Sequence, residues 1–281
     1  MSGSKIRNIA IVSLLLINIL FLVIIVSDAA VDARIERETL ENVSAVLRAG
    51  GITISPDNIM PADVLRTMRT MRVDEVERLI AYTLLGEADI TGQDGFYFYE
   101  NPNRGTVEFY SAGDFDARLF YGVITSGGDA IGTVRSLLQD MGIETISIAV
   151  TYNFDDPEVA DEVVTVVAAY RGAGVFNCVI AFEFNAESLV VVSGRYVAGV
   201  ELMDDFAELS QVSSALLRFL SAVNGEELHN FDCDEILEVR AGYRHRVVGP
   251  MGEGVIDPVW LITTPNAAFM VDSDGEIWPM A

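Results

Sequence analysis

The residues able to do chemistry are few and badly grouped for it. The chain has two histidines, His229 and His245, and neither has a second metal ligand four positions on, the spacing that puts two donors on one helix face. His229-Asn230-Phe231-Asp232-Cys233-Asp234 mixes nitrogen, oxygen and sulfur donors. A zinc centre needs three or four donors in tetrahedral reach, and no second cluster stands elsewhere to complete one. The segment reads as a polar turn. Asp272-Ser273-Asp274-Gly275-Glu276 begins like a calcium loop, but the sequence offers no bidentate Glu near the twelfth position, so a hairpin turn built on Asp and Gly explains it better. Paired acids at Asp155-Asp156, Asp204-Asp205 and Glu226-Glu227 read as solvated turns in so acidic a chain. There is no glycine-rich phosphate loop and no Gly-x-Ser-x-Gly elbow. Catalytic residues, metal ligands and cofactor-binding residues are therefore all expected to be none.

The elements that would have to position such groups are legible from periodicity. Val31, Ile35, Thr39 or Leu40, Val43 and Val46 or Leu47 recur at steps of three and four, which predicts a helix over 31–48 ending at Gly50-Gly51. Pro56 and Pro61 mark a linker. Asp74-x-x-Glu77 resembles a capping box and opens a helix that carries Val76, Leu79, Ile80, Thr83 and Leu84 to Gly86. From Phe96 the period becomes two, with a hairpin 96–110 turning at Asn101-Pro102-Asn103-Arg104-Gly105. A helix through Ile131, Val134, Leu137 or Leu138 and Met141 and a strand 143–152 follow.

Hairpin, helix and strand return about 80 residues later as 178–184 with 189–197, a helix through Val212, Leu216, Phe219, Leu220 and Val223, and a strand 236–240. Ser111-Ala112-Gly113 then corresponds to Val192-Ser193-Gly194, as a duplicated unit or as a local arrangement met twice. Strands 163–170 and 255–263 and a closing hairpin 267–278 complete an α+β fold class: an N-terminal transmembrane helix and helical stalk, then antiparallel sheets packed with a few helices. The expected division is 1–8 tail, 9–27 span, 28–92 stalk and linker, 93–172 first unit and 173–281 second unit.

The span is the strongest single signal. Eighteen uncharged residues run from Ile9 to Val26, about 27 Å of helix against a hydrocarbon core of about 30 Å. Lys5 and Arg7 precede it and hold the N-terminus in the cytoplasm. The remainder is then extracellular, and any inward signal must pass through the membrane helix. A cleaved signal peptide is the rival reading, since Ser27-Asp28-Ala29 offers small residues, but a core of eighteen exceeds the usual 7 to 15. Asn18 is the candidate contact residue within the span, because an amide in hydrocarbon is satisfied most readily by another helix; Ser13 lies about 140° away around a straight helix.

With Lys5 and Arg7 set aside, the exported part keeps 16 of the 18 basic residues against 42 acidic ones. Such a surface repels nucleic acid and anionic lipid, while the 51% apolar content and positive mean hydropathy require a folded core. Cys178 and Cys233 could pair or could remain two buried thiols.

Three stretches together resemble the YycH/YycI family of membrane-anchored regulators. They are Tyr170-Arg171-Gly172-Ala173-Gly174-Val175-Phe176-Asn177 with the hairpin end at Gly194-Arg195, then Ala241-Gly242-Tyr243, then Pro258-Val259-Trp260-Leu261-Ile262-Thr263 leading to Phe269 and the Asp272–Ile277 turn. The last is similar to the closing hairpin of PepSY-like domains. The resemblance covers the anchor and roughly 160–281. It implies a non-enzymatic extracytoplasmic protein that contacts a sensor histidine kinase through transmembrane helices, with a sister protein of the same family as a second partner. Gly172, Phe176, Asn177, Gly194, Tyr243, Pro258, Trp260 and Gly275 are the motif residues, and their own chemistry suggests packing and turns. The other reading is an anchored or secreted binding or inhibitor module of the envelope, whose soluble 28–281 fragment would keep full activity.

Overall fold

A computed structural model describes residues 35, 37–62, 64–93, 96–110, 113–152, 160–203, 207–225, 227–228, 231, 233–249 and 253–280. The fold is α+β and dominated by sheet. No helix among these residues is long and apolar enough to cross a membrane. The span expected at 9–26, with Ser13 and Asn18, lies outside them.

Helix α1 covers 37–49. Its apolar positions step by three and four, and Val43 and Leu47 go fully inside. The same stripe carried N-terminally reaches Ile35, which is 56% exposed. The helix stops where Gly51 takes φ 89°, a backbone state glycine enters without a Cβ penalty. Strand β1 (Thr53–Ile54) and a 3-10 turn at Pro56–Asn58 lead through the proline linker to β2 (Met68–Thr70).

Helix α2 (Asp74–Leu85) ends at Gly86 as expected, but its start differs. The N-cap is Val73, with no side-chain cap, and Glu77 turns inward to 1% exposure. There it takes two hydrogen bonds from the Arg72 guanidinium, one to Oε1 and one of 2.9 Å to Oε2. Tyr196 donates a third at 3.4 Å, and Arg72 stacks 4.5 Å over the Tyr97 ring. A buried charge outranks a surface cap here because its desolvation is met by a two-pronged partner. Burial beside Glu77 drives the Tyr196 phenol far up.

Strands β3 (Asp89–Gln93), β4 (Phe96–Asn101), β5 (Gly105–Phe109) and β6 (Asp114–Leu119) form an antiparallel meander. The β4–β5 hairpin has the expected turn. Helix α3 (Ala130–Asp140), capped by Asp129 through Gly132 N, precedes β7 (Thr145–Tyr152). Strands β8 (Glu162–Tyr170), β9 (Ala173–Asn185) and β10 (Ser188–Arg195) follow as two hairpins, then β11 (Glu201–Leu202), helix α4 (Val212–Asn224) and β12 (Glu235–Ile236). The strand expected at 236–240 is β13 (Glu238–Val247), twice as long. It pairs residue for residue with β14 (Gly254–Thr263), and β15 (Ala268–Asp272) and β16 (Ile277–Met280) close the chain.

Strands β1 and β12 pair with each other in parallel, and the rest share one 14-stranded sheet ordered β11-β2-β14-β13-β9-β10-β6-β5-β4-β3, with β8 and β7 branching from β9 and β15 and β16 from β14. The repeat suggested by the order of elements does not occupy equivalent places. Strands β4 and β5 lie near an open edge, whereas β9 and β10 lie in the middle. The 172/173 boundary falls in the turn between β8 and β9, neighbours in one ladder. Local order does not decide which sheet a hairpin joins, because a long apolar strand such as β9 finds partners on both sides.

The sheet divides at β9. Along one edge β9 pairs with β8 at Ala173 and Gly174 and again from Val179 to Phe184, with a register shift between Val167 and Ala169 of β8. Along the other, Ile180 to Asn185 pair with β10 and Val175 pairs in parallel with Tyr243 of β13. Asn177 stands between: its Nδ2 donates to His245 O and its Oδ1 accepts from His245 N, both at 2.7 Å. One amide side chain thus supplies the ladder bonds that backbone does not. Gly194, the last β10 residue paired with β9, stands at the same fork with φ 149°, where a Cβ would stand 2.2 Å from Val179 O.

Candidate interaction clefts

The segment 59–62 lies alongside the start of β13 as a strap. Ile59 bridges in parallel to Val239, and Met60 N donates to Val239 O at 2.9 Å. Pro61 forbids helix and keeps the chain extended. Met60, Pro61 and Ala62 line a cleft on either side.

The larger cleft, about 750 Å³, lies between α1, the strap and the start of α4. Ile35, Leu40, Ile59 and Trp260 give it apolar walls, and Arg37, Glu41 and Asp57 give it charge of both signs. Trp260 is 4% exposed and its indole N–H donates to Ser210 O at 2.8 Å, so the ring is fixed in place within a second core, the buried cluster around Leu47 and Phe219. It also lines this cleft.

The smaller cleft, about 440 Å³, lies between the strap, the approach to β2 and the β8–β9 turn. Arg66, Arg171 and Arg240 face it together with Val64, Tyr170 and Tyr243, and its described lining includes no acid. Arg171 and Gly172 both take positive φ, 50° and 79°, in a two-residue turn closed by the Tyr170–Ala173 pair. Arg171 lies 5.3 Å over the Tyr170 ring, and Gly172 N donates to Glu144 Oε1 at 2.9 Å. The Arg240 guanidinium is 5.9 Å from the Phe176 ring centre, and its buried Nε is ion-paired with Glu238 Oε1 at 3.7 Å, beyond hydrogen-bond length. Burial raises the Tyr243 phenol against a backbone bond from Arg66 that lowers it.

Five motif residues, with Gly194, thus gather around the smaller cleft and the fork beneath it. Gly172 and Tyr243 line it, and Phe176 and Asn177 lie just under it. Pro258 sits opposite Tyr243 in the β13–β14 ladder. Gly275 stands apart in the β15–β16 turn, where its carbonyl accepts from Arg218 Nε at 2.7 Å. That turn uses Asp272 Oδ1 to accept from the Asp274 and Glu276 amides, at 3.0 and 2.9 Å, which is the hairpin role rather than a cation loop. Among the described residues no group of three or more His, Cys, Asp and Glu is placed to hold a metal.

Sequence reasoning missed the strap, Arg66 and Arg240. The two prolines of the linker were the available signal for the strap. His245 is buried and bonds Thr70 Oγ1 through Nε2 at 3.0 Å, and burial lowers it to about 4. Cys178 and Cys233 are buried thiols not paired with each other; Cys233 Sγ donates to Glu235 O at 3.6 Å, and burial pushes Cys178 up to about 12.

No protein-family model and no curated protein matches the chain. Among solved structures, an uncharacterized protein from Eubacterium rectale is similar at 10% identity, over 78% of this chain and 82% of that one, with a TM-score of 0.47. The Bacillus megaterium YpeB C-terminal domain is similar at 11% identity, over 76% and 99%, with a TM-score of 0.37. Both scores lie below 0.5, too low for either likeness to carry an argument.

Proposed function

We propose that this protein is a non-enzymatic, single-pass regulator of the cell envelope. Its exported domain docks a partner, and its membrane helix passes the consequence to a sensor histidine kinase. The observation that carries this reading is the place of α1. It follows the apolar 9–26 segment in the chain, packs Val43 and Leu47 into the second core, and lines the larger cleft with Leu40 and Glu41. A partner seated in that cleft touches the element next to the span. The resemblance to YycH/YycI and PepSY-like sequences supports the same assignment, and a sister protein of that family is the expected second partner.

The smaller cleft favours a second reading, because it is built without α1: a binding module for which the anchor is only a tether. Crosslinking in the native membrane separates the two. The intact chain is compared with one whose 9–26 segment is replaced by an unrelated span. Capture of a sensor kinase only by the native span supports regulation through membrane helices. Capture of the same envelope protein by both versions supports the tether. Asn18→Leu should weaken kinase capture more than Asn18→Gln, since only the latter keeps an amide in the bilayer.

A further inference from the structure

Basic residues are scarce in this chain, 18 against 42 acidic ones, yet the smaller cleft collects Arg171 from the β8–β9 turn and Arg240 from β13, with Arg66 beside them. Elsewhere an arginine that ties two parts of the fold together is gripped by two short bonds. Arg195 donates to both oxygens of Asp114 at 2.7 and 2.8 Å, and Arg218 to both oxygens of Glu227 at 2.8 and 2.7 Å. The cleft arginines are held differently. Arg171 is exposed and lies 5.3 Å over the Tyr170 ring. Arg240 is half-buried, and its contact with Glu238 at 3.7 Å is longer than a hydrogen bond. A pair of that length in partly solvated surroundings contributes little, so a ligand carboxylate that forms the two-pronged arrangement gains more than it displaces.

The acids nearby stand behind these cations. Glu144 accepts from Gly172 N, Glu238 pairs with Arg240, and Glu208 lies 3.9 Å from Arg66, but none of the three belongs to the described lining. The rest of the wall includes apolar and aromatic groups, Val64, Tyr170 and Tyr243 among them. At about 440 Å³ the cleft takes a few side chains rather than a folded domain.

We propose that the smaller cleft binds a short acidic segment of a partner protein in which an apolar or aromatic side chain stands between two carboxylates. The guanidinium forks of Arg171 and Arg240 match carboxylates in shape as well as charge, and the Tyr170 and Tyr243 rings receive the side chain between them. Charge limits the occupant to a short one. A long polyanion would meet Glu144, Glu208 and Glu238 as soon as it left the cleft, on a molecule of net charge −24. This inference rests on the reading of the chain as a binding module and names what the module takes.

The test uses the full chain in detergent and two labelled peptides, Gly-Gly-Glu-Phe-Glu-Gly-Gly and its counterpart with Gln in place of each Glu. Fluorescence anisotropy reads binding at physiological ionic strength, where charges more than about 8 Å apart are screened, and amide exchange locates it. Saturable binding of the Glu peptide, slowed exchange at 170–173 and 240–243, and binding of the Gln peptide weaker by roughly tenfold are expected. Arg171→Gln should weaken the Glu peptide by roughly tenfold and erase most of its advantage over the Gln peptide. That substitution leaves the core untouched because Arg171 is exposed, so the test survives even if Arg240→Gln, which should act the same way, impairs folding. Arg118→Gln, on β6 and 79% exposed at its side chain, should change nothing. Failure of both peptides to bind overturns the cleft as a binding site altogether. Equal binding of both keeps the site but overturns its ligand, as does displacement of the Glu peptide by inorganic phosphate at constant ionic strength, which would make the cleft a general anion site.

Discussion

The two halves of the sheet gather their apolar residues differently. Around β3 to β10, α2 and α3 the buried side chains make one cluster that runs from Ile80 to Tyr196. Around β2, β13 and β14 they make three smaller clusters, on Leu47 and Phe219, on Val175 and Tyr243, and on Phe176 and Met270. A single cluster buries its polar exceptions completely, as Glu77 shows. A divided core leaves seams, and the seams hold what a functional reading needs: both sides of the strap, the arginine cleft and the polar contacts of Asn177, His245 and Thr70. Packing that is incomplete around one centre is what leaves room for a partner.

The contrast breaks most visibly if the undivided half does not depend on its buried ion pair. Glu77→Ala should destabilise the protein by about 3–5 kcal/mol, since the Arg72 guanidinium loses a two-pronged carboxylate partner in a buried site; urea denaturation measures it. A loss below about 1 kcal/mol would show that this core tolerates the change as a surface would.

Next in size is the acid sensitivity of the divided half. Burial lowers His245 from its ordinary 6.5 to about 4, so the folded state favours the neutral ring. Its contribution is present in full above pH 6.5 and is lost as pH falls through 4, roughly 3 kcal/mol for a shift of this size. Wild type and His245→Gln should therefore differ in the slope of stability against pH within that window and run parallel above it. Identical slopes would remove His245 from the account.

Asn177→Ala should cost about 2 kcal/mol, because it removes two hydrogen bonds and leaves the His245 N–H and C=O without their partner at the fork. Loss of amide protection should concentrate in β13 and spare β4 to β6; uniform loss would mean that the two halves unfold as one. Trp260→Phe is the mildest, about 1 kcal/mol for the indole bond to Ser210. It should alter partner capture at the larger cleft while thermal unfolding moves only a few degrees.

Elements whose rule is local were readable in advance. Helix α2 to Gly86, the 101–105 turn and the helix through Val134 follow from periodicity, glycine and proline acting within a few residues. Glu77 was misread because the capping pattern is also local, and nothing near it in sequence reveals that Tyr196 lies above it. The fork was not readable either. Asn177, Gly194 and Tyr243 were singled out by resemblance as structural residues, but the reason for them, an amide standing in for missing ladder bonds where β10 and β13 part, exists only once β9 has both neighbours. The same holds for the two clefts. Arg66, Arg171 and Arg240 are up to 174 positions apart, and no spacing rule links them.

By itself the sequence determined an α+β fold rich in strands, an apolar segment of membrane length from Ile9 to Val26, a strongly acidic remainder and the scarcity of histidine. Each of these depends on composition or on patterns within about twenty residues. The tertiary structure decided which hairpin joined which half of the sheet, which acid was buried and where the arginines met. Those outcomes depend on pairing between residues distant in the chain, where burial and hydrogen-bond satisfaction outweigh local preference.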